Sequence, residues 1–221
     1  MVHGFQMWIN LPNKDKMCKP RYQDIQPENI PVVEKENIKI KVIAGKYEQV
    51  INIFYFLFYF LFFIFYFLFF FYKINFFFFQ TEGPVNGIAT QPIFFDIRLK
   101  PNTLFEHHIP KGHTCFAYLF EGSASFSNSP SLKEGNIIVF DSDGDTIQVN
   151  TDNNSNAAFL LVAAKPIVTT KFFYFFLNFL LFFLFQGEPI FQRGPFVMAS
   201  QEDLVQAFID IQTGMFLKRA N

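Results

Sequence analysis

Hydrophobic and polar residues alternate along much of this chain with the two-residue period of half-buried strands. Ile38–Ala44 sets Ile38, Ile40 and Val42 against Lys39 and Lys41, and it stops at Gly45. The same reading predicts strands over 5–11, Ile93–Leu99, 104–109, 115–120, 124–127, 136–140, 146–149, Ala157–Ala164 and Phe196–Met198. Turn signals separate them at Pro101-Asn102, Pro110-Lys111-Gly112, Glu121-Gly122, Glu134-Gly135 and Asp143-Gly144. One helix is expected near the C-terminus. Ser200 is its N-cap, Asp203 its third residue, Leu204, Val205, Phe208 and Ile211 recur at helical spacing, and Gly214 supplies the stop. Residues 20–33 hold three prolines and no apolar period, so they read as linker. Short strands at this spacing predict an all-β sandwich or barrel.

Two stretches break the pattern. Of 36 Phe in 221 residues, 23 lie in 50–80 and 168–186. Residues 54–71 are uninterruptedly apolar or aromatic, long enough to satisfy the length rule for a membrane-spanning helix. Natural spans mix Leu, Val, Ala, Gly and Ile, whereas residues 51–79 use only Phe, Leu, Ile, Tyr, Asn and Lys. Those are the amino acids that codons built from A and T alone can encode, and residues 171–185 draw on the same set. Both blocks begin with Val and end with Gln, whose codons can carry the GT and AG ends of an intron. Two genuine spans would also put the strands between the blocks across a bilayer from the rest of the sheet. Translated introns are therefore the favoured reading. Two membrane spans and a low-complexity insertion are the alternatives.

Composition adds little beyond this. The net charge of −1 with scattered Lys and Arg gives no basic stripe and no support for direct nucleic-acid binding. Cys18 and Cys115 form neither a CxxC pair nor a disulfide framework, which favours a reducing compartment. No charged segment followed by an apolar run opens the chain, so no secretory signal is expected.

Few residues carry candidate chemistry. His107, His108 and His113 lie close in sequence, but neighbours on a strand point to opposite faces. They read as surface or partner-bonded histidines, with a weak adventitious metal site as the alternative. Cys115 reads as a small buried apolar residue, since no basic neighbour would lower its pKa. Asp141, Asp143 and Asp145 around Gly144 lack the bidentate Glu of a calcium loop and read as a solvated turn.

Read with the blocks set aside, the chain carries His3-Gly4-Phe5-Gln6-Met7-Trp8-Ile9-Asn10-Leu11-Pro12, Lys16-Met17, and Pro20-Arg21-Tyr22-Gln23-Asp24-Ile25. Val42-Ile43-Ala44-Gly45 and Gly194-Pro195-Phe196-Val197-Met198 follow in order. Together these segments resemble the pirin family of two-cupin proteins. The resemblance implies a jelly-roll cupin barrel with a C-terminal helix, interrupted by the two Phe-rich insertions. It implies that residues 1–12 are the last strand of an N-terminal cupin otherwise missing, with Phe5 and Trp8 packed between domains. Residues 13–37 would then be linker and 38–221 the C-terminal cupin.

Pirins resemble one another in holding iron through His-x-His and His-x-Glu motifs of the N-terminal cupin, and neither motif occurs here. The general cupin pattern, Gly-x5-His-x-His-x(3,4)-Glu-x6-Gly, falls on Asn102, His108, Pro110, Cys115 and Gly122, with the later His slot near Ile147. No catalytic, cofactor-binding or metal-ligating residue is assigned on this basis, and iron is expected only in the missing cupin. The expectation is a catalytically silent pirin-like fragment. Full-length relatives are implied to be nuclear transcription co-regulators or, alternatively, iron-dependent quercetin 2,3-dioxygenases, in the nucleus or cytoplasm. A metal-free protein-binding module, with a transcription factor as implied partner, and a two-span membrane protein are the remaining alternatives.

Sequencing the transcript across codons 45–85 and 160–190 tests the intron reading. A spliced product that joins Gln49 to Thr81 and Ile167 to Gly187 is expected, and a mature message keeping both blocks would refute it.

Overall fold

The computed structural model describes residues 4–50, 78–172 and 183–218. Most of both Phe-rich blocks, including 54–71, lies outside the described residues. Among the described residues no helix is long and apolar enough to cross a membrane.

The principal sheet begins with β1 (Val32–Lys35) and β2 (Ile38–Ala44), and continues through β5 (Ile93–Leu99) and β11 (Ala157–Ala164). It then passes through β7 (Thr114–Phe126) and β10 (Thr146–Asn150) to β6 (Leu104–His108), while β8 (Leu132–Lys133) and β9 (Asn136–Val139) also pair with β7. The order β1-β2-β5-β11-β7-β10-β6 curls into a half-barrel, the all-β class expected. Each strand sends alternate side chains inward, as the period-two pattern requires. Ile40 and Val42 of β2, Phe95 and Ile97 of β5, Phe105 of β6, Val149 of β10, and Phe159 and Leu161 of β11 meet in one core, each at most 1 % exposed.

Glu121-Gly122 makes no turn. The chain runs through it as one strand with a bulge, where Ala158 pairs with Glu121 but Phe159 pairs with Leu119. The extra residue flips the inward parity. Cys115, Ala117 and Leu119 face the core before it, and Ala124 and Phe126 after it. The bulge also changes the partners of β7. Before it the strand pairs with β11 and β9, and after it with β8 and β10, so one strand turns the corner of the barrel. Gly122 permits this with φ +78°, and an added Cβ would clash with the Asn156 carbonyl oxygen.

Other expectations need correction. Residues 5–11 form no strand; Phe5 lies against the outer face of β7, on Tyr118 and Phe120 at ring-centroid distances of 5.9 and 5.1 Å. Trp8 is 63 % exposed. Residues 13–37 contain β1, which pairs with β2 and belongs to the sheet. The edges of the Phe-rich blocks form antiparallel pairs: β3 (Lys46–Val50) with β4 (Phe78–Glu82), and β12 (Val168–Phe172) with β13 (Phe183–Gly187).

The helix α1 (Gln201–Gln212) is capped as expected, with the Ser200 hydroxyl accepting from the Asp203 N–H at 3.0 Å. Its packed face keeps Leu204 and Phe208 of the residues the spacing suggests and adds Ala207. Leu204 and Ala207 pack against Met198 and Phe196 of the hairpin formed by β14 (Phe191–Arg193) and β15 (Phe196–Met198), while Val205 and Ile211 are about half exposed.

Gly122→Ala should cost at least about 2 kcal/mol, since it combines a left-handed backbone with a direct clash. Gly135, at φ +90° with nothing within 4 Å of an added Cβ, is the comparison. Its alanine variant should lose only about 1 kcal/mol, the backbone cost alone. Urea denaturation midpoints of the two variants check the difference.

Candidate functional site

The inward row of β6 ends at the mouth of the barrel with Phe105, then His107, then Ile109 beyond the strand. His107 is therefore the side chain that enters the barrel, and only 7 % of it is exposed. His108 points out and is exposed, as is Pro110. The cupin pattern laid on His108 and Pro110 is thus displaced by one residue from the side chains that face the interior. Strand parity is fixed by the hydrophobic core, and Phe105 at the centre of that core sets His107 inward.

Aromatic rings hold the imidazole on several sides. Tyr47 of β3 stacks on it at 5.4 Å and 21°, Phe105 lies at 6.4 Å and 22°, and Phe95 meets it edge-on at 5.2 Å and 68°. Lys35 Nζ sits 5.7 Å over the other participant in that stack, the Tyr47 ring. Among the described residues His107 Nε2 has no hydrogen-bond partner. Burial, helped by the neighbouring His108, lowers the His107 pKa to about 4, so the ring is neutral at physiological pH.

The other inward positions at this end are Ile109, Cys115 and Ile147, the last paired directly with His107 across β6 and β10. Burial pushes the Cys115 thiol up to about 12, which leaves it protonated and a poor ligand. One imidazole, two isoleucines and a neutral thiol do not fit an iron centre, which needs several N or O donors converging on one point. Among the described residues no group of three or more His, Cys, Asp or Glu converges. Asp141, Asp143 and Asp145 lie in an exposed turn, where the Asp145 carbonyl accepts from the Ile109 N–H at 2.7 Å.

What the mouth does form is a cavity of about 970 Å³. Tyr47, Ile93, Phe105 and His107 line its buried part; Lys46, Glu48, Glu82 and Asn86 stand at its exposed rim. His113 lines it too, with a buried Nδ1 that has no partner among the described residues. Tyr47 is the wall that sequence reading missed. Lys46-Tyr47-Glu48 does alternate polar and apolar, but the adjoining Phe-rich block hides so short a strand.

The model of the pirin C-terminal cupin domain matches residues 94–175, which takes in β5 to β11 and therefore both His107 and the bulge. A pirin-like protein of Caulobacter vibrioides is 29 % identical over 97 % of this chain and 59 % of its own length. The chain is similar to pirins over nearly its whole length. Human pirin is 24 % identical over 96 % of this chain and 56 % of its own length. The chain thus spans little more than half the length of those curated relatives. A quercetin 2,3-dioxygenase of Acinetobacter baumannii superposes with a TM-score of 0.63 at 21 % identity, covering 95 % of this chain and 55 % of that one. That likeness shows the cupin-type fold of the chain.

A neutral buried histidine makes stability depend on pH with a definite sign. Its pKa is lower folded than unfolded, so the unfolded chain takes up the proton first as pH falls. The contribution is intact above the unfolded value of about 6.5 and is lost down to the folded value of about 4, on the order of 3 kcal/mol in all. His107→Phe should abolish that acid dependence. It should also raise stability at pH 7 by about 1–3 kcal/mol, because it removes a buried polar atom that lacks a partner. Denaturation midpoints of both proteins between pH 4 and 8 check this.

Proposed function

We propose that this chain is the metal-free cupin of the pirin family's two-cupin plan, acting by scaffolding and binding and performing no oxygenase chemistry of its own. One observation carries the reading: the inward positions around His107 are Ile109, Cys115 and Ile147, side chains that cannot complete a metal site. Metal-dependent turnover would belong to a separate N-terminal cupin. The dioxygenase activity named for the Acinetobacter relative would then require that second unit.

The outer face supports a binding role. Ile137 and Val139 of β9 are 66 % and 71 % exposed and pair with Tyr118 and Phe116 of β7, beside Phe5. Exposed β-branched residues on a sheet face beside aromatic neighbours suit a protein partner. A transcription regulator in the nucleus or cytoplasm is the partner the pirin resemblance implies.

Titration with Fe(II) under anaerobic conditions, followed by aerobic addition of quercetin, tests the proposal. We expect no stoichiometric iron binding and no quercetin consumption above that of free iron. One equivalent of bound iron together with turnover would overturn it.

A further inference from the structure

We infer that β9 pairs antiparallel with β9 of a second copy of this chain, joining two half-barrels through one continuous sheet. The inference rests on the reading of the outer face as a protein-binding surface, and it names the occupant. Antiparallel pairing leaves every second residue of an edge strand with its N–H and C=O turned away from its neighbour. The Phe140 N–H donates to the Cys115 carbonyl at 3.0 Å, while Val139 stands opposite Phe116 and Ile137 opposite Tyr118. By that alternation Ile137 and Val139 aim their backbone groups at the open side, where no strand pairs among the described residues. Free edges are commonly blunted by charge. Edge strand β1 carries Glu34 and Lys35, and edge strand β6 carries Glu106 beside two histidines. β9 reads Asn136-Ile137-Ile138-Val139, with neither charge nor proline.

The strand complements itself. Laid antiparallel about a two-fold axis through Ile138, Ile137 of each copy meets Val139 of the other, and the open N–H and C=O groups of both residues find partners. On the outer face the row of Phe116 and Val139 then runs on into Ile137 and Tyr118 of the second copy, covering side chains that stand in water in the single chain. The flanks match in charge. In this register Lys133 of one copy faces Asp143 of the other, with Asp141 close by. All of these are exposed, and none makes an ion pair among the described residues. Glu134, the like charge at that end, is turned back to accept from the Gly122 N–H at 3.2 Å. Exposed charge pairs add little affinity, but they fix direction and register, which an unrelated peptide has no reason to match. So short a ladder makes a weak dimer.

Sedimentation velocity on the full chain, from about 1 µM to about 200 µM, covers the range of weak interfaces and should show a monomer–dimer equilibrium. Val139→Lys should weaken it at least about tenfold, because it charges the edge. Its urea midpoint should match the parent's, since the side chain it replaces is 71 % exposed. Lys133→Glu and Asp143→Lys should each weaken the dimer about threefold, and the double variant should restore it, since the swapped charges meet again across the two-fold. A chain that stays monomeric at about 200 µM, or that binds only a different protein along β9, would overturn the inference. So would association that Val139→Lys leaves intact, or a double variant no better than the singles. Failure here leaves the metal-free reading standing, and iron-dependent turnover would overturn that reading without touching the dimer.

Discussion

Strand β11 is apolar at every position from Ala157 to Ala164, and a sheet can hold such a strand only where both of its faces are covered. The inner face joins the core through Phe159 and Leu161. The outer face is flanked by its pairing neighbours: Leu160 lies between Asp96 and Tyr118, and Val162 between Phe94 and Phe116. It sits between β5 and β7, both of which carry aromatic residues. Phe5, far away in sequence, comes to rest on the outer rings of β7.

Much of this was legible from periodicity. β5, β11 and β15 were bounded correctly because each is a continuous run with a clear stop. The failures share a cause, since local signals do not reveal what the rest of the fold will do with them. Glu121-Gly122 has the residues of a turn, yet the partner strands on either side keep β7 running, and the left-handed glycine becomes a bulge. Residues 5–11 have the composition of a strand but pair with no strand among the described residues. On α1, helical spacing proposes Leu204, Val205, Phe208 and Ile211, but the hairpin beneath is narrow: Leu204 and Phe208 pack on it with Ala207, while Val205 and Ile211 stay half exposed.

The candidate site was half legible. Sequence alone shows that His107 and His108 face opposite ways, but the inward one depends on the core register fixed by Phe105. That one-residue choice moves the interior row from His108 and Pro110 to His107 and Ile109. The second register leaves a neutral imidazole among aromatic rings, a chemistry the first did not contain. Tyr47 could not be found in this way, because its strand is recognisable only through its pairing with residues beyond the Phe-rich block.

The pairs β3–β4 and β12–β13 have a further consequence. The pairing of Lys46 with Glu82 brings the ends of the first interruption together before it begins, and Val168, the first residue of the second, stands opposite Gly187 just past its end. Once chain ends are so clamped, lengthening the loop between them costs only about 0.6 kcal/mol per doubling. The barrel is thus largely indifferent to what is spliced into these two points. They are natural places to open the chain for a circular permutant, or to seat a reporter domain, while the sheet closes around them as before.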